Sequence, residues 1–106
     1  MRQANVYVNN VIAGILAETD EGKFVFTYDN AYRADESSTA IGSAFPKSEK
    51  VFVSDTLFPL FYNMLAEGAN KAYQCRTLRI DEDDAFGLLL ATAHTDTIGA
   101  ITIKAL

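Results

Sequence analysis

The sequence predicts an α+β fold in which a small antiparallel β-sheet packs against about three helices. Apolar and polar residues alternate in the first third of the chain and again near its C-terminus, as they do in strands with one buried face. In the second half, apolar residues recur at helical spacing. The length of 106 residues is typical of one domain, so we expect residues 1–106 to fold as a unit.

The sheet is predicted to begin with a meander of three strands. A hairpin over about 5–17 turns at Asn9 and Asn10, because asparagine tolerates the positive φ angles of a two-residue turn. Residues 24–28 alternate as a third strand does. The alternating segment 99–104 is predicted to add a final strand to this sheet.

The middle of the chain is predicted to be irregular. Residues 29–47 show no sustained apolar period, which indicates a long loop with short extended pieces. Such loops are often functional, but this one is equally well interpreted as a surface segment covering the sheet. Residues 50–53 fit either a short strand or the lead-in to a helix.

Three helices are predicted after it. The first spans 57–65, is capped by Ser54, Asp55 or Thr56, and ends at Gly68. The second covers about 69–79. Its inward residues are predicted to be Ala72, Cys75 and Leu78. The third is capped by Asp81, with the acidic residues 82–84 in its first turn, where the helix dipole favours anions.

The charge balance excludes several classes of function. Nine Lys and Arg residues oppose fourteen Asp and Glu residues, so the net charge is −5, and the isoelectric point is 4.6. Direct binding to nucleic acid is not expected, because phosphate neutralisation needs a dense basic face. No apolar run approaches the roughly 20 residues of a membrane span, and no signal peptide is evident, so we expect a cytoplasmic protein.

No pattern in the sequence indicates catalysis. Cys75 and His94 are the single residues of their types, and neither has partners at metal-binding spacing. The glycines form no phosphate-binding loop, and the dipole of the third helix already accounts for the acidic run at 81–84. We therefore expect no enzyme activity, no cofactor and no metal.

The aromatic residues of the first predicted helix need an explanation. Phe58 and Tyr62 lie away from the stripe that contains Phe61, so one buried face cannot cover all three. Two interpretations remain open. The helix is sandwiched between two layers, or it exposes an apolar patch that binds a partner.

Four ordered motifs resemble the HipA N-terminal subdomain. Residues 6–16 are similar to its opening V-x-V/L-N-G-x-x-V-G-x-L, and residues 24–28 to its x-F-x-Y strand. Residues 57–68 resemble F-x-N-L-L-P-E-G. Residues 83–89 resemble D-D-P-F-x-L-L, and residues 96–101 resemble the D-x-x-G-A-V/L that follows it. Three positions depart from the family pattern, since Ala66 and Ala85 replace proline and Asn10 replaces the turn glycine.

The resemblance implies a role in a bacterial toxin–antitoxin module. HipA proteins are Ser/Thr kinase toxins, and this sequence has no counterpart of their phosphate loop or catalytic aspartate. It is similar to the short subunit, HipS, that accompanies a shortened kinase, HipT, and a helix-turn-helix DNA-binding protein, HipB, in split systems. The implied function is a non-enzymatic subunit that docks on a HipA- or HipT-like kinase and inhibits it as an antitoxin.

Alternatives to that role remain open. In the first alternative, the subunit completes the kinase. In the second, it bridges the kinase to a HipB-like DNA-binding protein. In the third, the chain is a detached domain of a longer HipA kinase. The contact patch predicted for the kinase consists of residues in and after the first helix. These are Phe58, Tyr62, Asn63, Glu67 and Gly68.

Overall fold

The computed structural model describes residues 2–65, 68–81, 83–92 and 101–106. The strands are β1 (Arg2–Val8), β2 (Val11–Glu18), β3 (Phe24–Tyr28), β4 (Val51–Ser54) and β5 (Ile101–Ala105). The helices are α1 (Asn30–Ala34), α2 (Pro59–Tyr62), α3 (Gly68–Leu78) and α4 (Ala85–Thr92). The predicted α+β fold class is confirmed.

All five strands belong to one antiparallel sheet with the order β4-β3-β2-β1-β5. The first four strands follow one another across the sheet, so the predicted N-terminal meander is confirmed and extends to β4. β5 returns to the far side and pairs with β1, where Ile103 lies opposite Val6. The predicted return of the C-terminal strand is therefore also confirmed.

The first hairpin turns where the sequence predicts it. Asn9 and Asn10 have φ angles of 50° and 67°, which are the left-handed values of a type I′ turn. This turn matches the twist of the two strands, and Val8 pairs directly with Val11. Asn10 thus adopts the conformation for which the family pattern uses glycine.

Gly14 allows a close approach between β2 and β3. A Cβ atom at this position would collide with the carbonyl oxygen of Thr27 and would lie 2.8 Å from the Phe26 ring. The Phe26 ring, which is fully buried, therefore occupies space that any other residue at position 14 would fill.

Aromatic rings fill much of the core between the sheet and the segments that cover it. We call Phe26, Phe45, Phe52, Phe58 and Phe61 the aromatic cluster. The centroid of Phe45 lies 5.3 Å from that of Phe26, 5.1 Å from Phe52 and 5.0 Å from Phe58. Phe61 completes the cluster at 6.0 Å from Phe26. The aromatic cluster thus joins one face of the sheet to the segment that contains Phe45 and to the segment that contains Phe58 and Phe61.

The segment predicted as loop and extended pieces begins instead with a helix. In α1, the Asp29 carboxylate caps the helix by accepting hydrogen bonds from the backbone N–H groups of Ala31 and Tyr32. The helix has five residues, and Tyr32 is its buried side chain, so it leaves no apolar period in the sequence. The prediction of extended pieces was wrong here.

The rest of this segment covers the sheet. The Tyr28 hydroxyl donates to the Phe45 carbonyl and accepts from the Ile41 N–H at 3.1 Å. The Tyr32 hydroxyl donates to the Thr39 carbonyl at 2.6 Å. Ile41 and Phe45 are both buried, so of the two interpretations of this loop the structure supports the covering role.

The first predicted helix is much shorter than expected. α2 has one turn, and the hydrogen bonds that follow it run from Met64 N to Phe61 O and from Leu65 N to Tyr62 O, three residues apart rather than four. Its N-cap is Phe58, with no side-chain cap, and Gly68 begins α3 instead of ending this helix. The apolar stripe is nevertheless buried at Leu57, Phe61 and Met64.

The second predicted helix is confirmed as α3. Cys75 is buried and Ala72 is half-buried, but Leu78 is 43% exposed, contrary to the prediction. Leu78 lies in the last turn, just before Arg79 takes a φ of 57°, and Ile80 N then bonds to Cys75 O at 3.0 Å. Arg79 thus takes the left-handed conformation that commonly ends a helix.

The third predicted helix is found as α4, but it starts later than expected. Asp81 accepts from the N–H of Asp83 in a turn before the helix, and no acidic residue lies in the first helical turn. The prediction that Asp81 caps the helix was therefore wrong. Phe86, Leu88 and Leu89 are buried. Glu82 and His94 lie outside the described residues.

We expect Tyr28→Phe to lower the free energy of unfolding by about 1–3 kcal/mol, because it strands the Phe45 carbonyl and the Ile41 N–H without a partner in the core. Tyr32→Phe serves as the control, since its hydroxyl bonds one partly buried carbonyl and should cost less than about 1 kcal/mol. Urea unfolding of both variants measures the difference. Equal effects would contradict the anchoring role of Tyr28.

Candidate functional site

The residues of the predicted contact patch lie at different depths. Tyr62 ends α2 and is 49% exposed, and Asn63 follows it on the surface. Phe58 is 8% exposed and packs on Phe45, so it supports this surface from below rather than forming it. Gly68 is the first residue of α3, and Glu67 lies outside the described residues. The structure therefore brings Tyr62 and Asn63 together on the surface.

The local fold of α2 explains why Tyr62 faces outward. Pro59 occupies the first helical position, where its missing N–H costs least. The carbonyl of Phe58 accepts from the N–H groups of Phe61 and Tyr62, which closes a single turn. Phe61 points into the aromatic cluster, and the next residue lies about 100° further round a helix, so Tyr62 meets solvent. Phe58 and Phe61 are therefore buried and Tyr62 is exposed, and partner binding by this surface stays a prediction.

A cleft of about 490 Å³ opens beside Tyr62 and Asn63. One side is α2 with the residues that precede it, and the other is formed by the start of α4 and the adjoining ends of β2 and β3. Apolar side chains and carboxylates both line it. The apolar lining residues include Phe24, Leu57, Pro59 and Phe86, and the acidic ones are Glu18, Asp55, Asp83 and Asp84.

Arg2 fixes one wall of this cleft. Its Nη1 and Nη2 atoms donate to the two carboxylate oxygens of Asp84 at 3.0 and 2.8 Å, and its Nε donates to Glu18 at 2.9 Å. The guanidinium also lies 5.3 Å from the centroid of the Phe86 ring. One side chain of β1 therefore joins β2 to the start of α4 across the cleft wall.

The ion pairs shift the ionisation of both partners. The hydrogen bonds from Arg2 hold the pKa of the Asp84 carboxyl below its usual value, against the opposing effect of burial. Hydrogen bonding to Asp84 and Glu18 raises the pKa of the Arg2 guanidinium further. Both groups are therefore charged throughout the neutral range.

Asp84 also caps α4. Its Oδ1 atom accepts from the N–H of Gly87 at 3.1 Å, and its carbonyl accepts from the N–H of Leu88. A Cβ atom at Gly87 would collide with the Asp84 carboxylate, so this arrangement requires glycine. Neither Arg2 nor this cap was predicted from the sequence. The spacing D-x-x-G at the start of an apolar helix was the available signal for the cap.

Comparisons with known proteins agree with this architecture. The family model of the HipA N-terminal domain matches residues 4–104. The chain belongs to the HipA N-terminal domain family. An uncharacterized protein of Haemophilus influenzae is 33% identical over 104 residues, covering 98% of this chain and 92% of that protein. A solved structure, the N-terminal domain of HipA toxin, has a TM-score of 0.76 and 28% identity, covering 100% of this chain and 93% of that one.

Family membership makes this a HipA-like domain related to toxin–antitoxin systems, so the predicted resemblance is confirmed. The departure from the HipA pattern at Ala85 has a structural reason. Ala85 is the first residue of α4, the helical position at which proline is tolerated best. Replacing proline by alanine there keeps the helix start. Ala66 lies outside the described residues.

Two further features concern binding chemistry. Among the described residues, no group of three or more His, Cys, Asp or Glu side chains is placed to hold a metal ion. No helix in the described part of the chain is long and apolar enough to cross a lipid bilayer.

Asp84→Asn should lower the free energy of unfolding at pH 7 by about 1 kcal/mol, since asparagine keeps the cap but loses the charged pair with Arg2, which is partly exposed. Because the folded pKa of Asp84 is depressed, its stabilisation is present above the ordinary carboxyl pKa of about 3.9 and is lost as the pH falls through the lower folded value. We therefore expect the difference between the two proteins to shrink as the pH falls below about 3.9.

Urea unfolding between pH 2 and 7 measures this difference. Asp83→Asn removes a neighbouring exposed carboxylate and serves as the matched control. A gap between wild type and Asp84→Asn that stays constant over the whole pH range would contradict the ion-pair explanation.

Proposed function

We propose that this chain is a non-catalytic, cytoplasmic subunit that docks on a HipA-like Ser/Thr kinase and inhibits it as an antitoxin. The observation that carries the proposal is the match to the HipA N-terminal domain over residues 4–104, nearly the whole printed sequence. The motifs of nucleotide binding are absent from that sequence, so the proposed activity is binding rather than catalysis.

The surface around α2 supports this proposal. Tyr62 is a large aromatic side chain that is half exposed beside a cleft, and aromatic residues of this kind are frequent energetic centres of protein interfaces. The wall opposite α2 is held by the Arg2–Asp84 pair, so this side of the cleft needs little reordering on binding. A cleft with one wall held by an ion pair and an exposed tyrosine at its rim suits a docking subunit.

The net charge of −5 makes direct contact between this chain and operator DNA unfavourable. An acidic chain is repelled by DNA phosphates, so any contact with an operator would pass through a basic partner such as a HipB-like protein. This agrees with either an inhibitory or a bridging subunit and disfavours direct DNA binding.

The direct test pairs this chain with a HipA-like kinase, sought as the product of the kinase-like reading frame nearest to its gene. We expect the two purified proteins to form a stable complex, and we expect kinase autophosphorylation to fall to background as this chain is added to saturation. Kinase activity that requires the chain would replace inhibition with the completing role. No complex at micromolar concentrations would overturn the proposal.

Tyr62→Ala should weaken binding to this kinase by at least about tenfold if the α2 surface forms the contact. Tyr73→Ala is the matched control, because Tyr73 is a 64% exposed tyrosine on α3 that does not line the cleft. Isothermal titration calorimetry measures both affinities, and thermal unfolding verifies that neither variant is destabilised. Equal affinities for the two variants would remove the α2 surface from the interface.

A further inference from the structure

The outer edge of β4 has the properties of a strand-addition site. In the antiparallel pairing of β4 with β3, Tyr28 N bonds to Lys50 O at 2.9 Å, and Phe26 lies opposite Phe52. Hydrogen-bonded and non-hydrogen-bonded pairs alternate along such a ladder, so Phe52 and Ser54 bond to β3. The backbone N–H and C=O groups of Val51 and Val53 therefore point to the outer edge, where no strand pairs with them among the described residues.

The side chains of this edge do not protect it. Val51 and Val53 are 53% and 61% exposed, and the register between β3 and β4 contains no bulge. Natural proteins protect exposed strand edges with proline, a charge, a bulge or a very short strand, and of these β4 has only its length of four residues. The opposite edge follows that rule, because β5 carries the exposed Lys104. The two edges of the sheet therefore differ in their readiness to pair with another strand.

Apolar side chains continue from this edge onto the outer sheet face. Val53 pairs with Val25 of β3, and Val51 pairs with Thr27, which in turn lies opposite Ile15 of β2. Ile15 is 40% exposed. A strand added beside β4 could therefore pack its own apolar side chains against a row that already exists.

The strand added beside β4 could come from a second copy of this chain or from another protein, and the charges around β4 distinguish the two. A second copy pairing antiparallel about Phe52 would bring Val51 opposite Val53, but it would also align Glu49 with Asp55, two like charges, and both copies carry a net charge of −5. A strand of another protein with Lys or Arg at both flanking positions would instead be attracted. Asp55 remains exposed for this contact, since its 3.6 Å pair with Lys23 is at the surface and contributes little.

We propose that β4 is extended by an antiparallel strand of the kinase, with apolar residues opposite Val51 and Val53 and basic residues opposite Glu49 and Asp55. This inference rests on the proposed docking on a HipA-like kinase and names a second part of that interface. Backbone hydrogen bonds supply the affinity of such strand addition, and the alternate side chains supply its specificity.

The test separates backbone pairing from side-chain contact. Val53→Pro removes an N–H that faces outward, so the bonds to β3 are kept, and proline is tolerated at such edge positions. Val53→Thr keeps the N–H and the shape of the side chain, and is the matched control. We expect Val53→Pro to weaken binding to the kinase by at least about tenfold and Val53→Thr by less than about threefold.

Amide hydrogen exchange on the wild-type complex provides a second measurement that needs no variant. The amides of Val51 and Val53 should exchange quickly in the free chain and slowly in the complex. If the complex forms but these amides stay unprotected, strand addition is overturned while docking stands. If wild type forms no complex, the proposed function fails and this inference with it.

Size-exclusion chromatography of the free chain tests whether β4 pairs with a second copy of this chain. A concentration-dependent dimer that is abolished by Val53→Pro would show that β4 pairs with a second copy, and would overturn the assignment to the kinase.

Discussion

The packing of Phe45 between the sheet and α2 is the constraint on which the rest of the structure depends. The helices near the sheet are short, and α2 is a single turn, so they cannot cover a five-stranded sheet by themselves. Phe45 comes from the segment between α1 and β4 and contacts Phe26, Phe52 and Phe58. Ring pairs of this kind contribute beyond the area that they bury. The loop is therefore part of the core, and α2 packs on it.

This arrangement explains which parts of the fold could be predicted from the sequence. The β1–β2 hairpin and the return of β5 depend on local alternation and on two asparagines that accept positive φ, so they could be predicted. The length of α2 could not be predicted. Apolar residues at helical spacing are buried equally well when one helical turn is followed by backbone hydrogen bonds between residues three apart. α1 could not be predicted either, since its stability comes from the Asp29 cap and the packing of Tyr32.

The candidate site shows the same division. The surface position of Tyr62 and Asn63 could be predicted, because they lie outside the apolar stripe of α2. Phe58 could not be placed, since its burial depends on Phe45, thirteen residues earlier in a segment without regular spacing. Arg2 was missed because its partner Asp84 is 82 residues away in sequence. Contacts of that range leave no periodic signal, although they fix the wall of the cleft.

The position of β1 between β2 and β5 has a consequence for the order of folding. The meander from β1 to β4 consists of neighbours in sequence and can form early, since local pairings require little loop closure. The second edge of β1 stays unpaired until residues 101–105 have been synthesised and have left the ribosome. During translation the growing chain therefore presents two open sheet edges, and β1 is exposed to misassembly with other nascent chains until its C-terminal partner arrives.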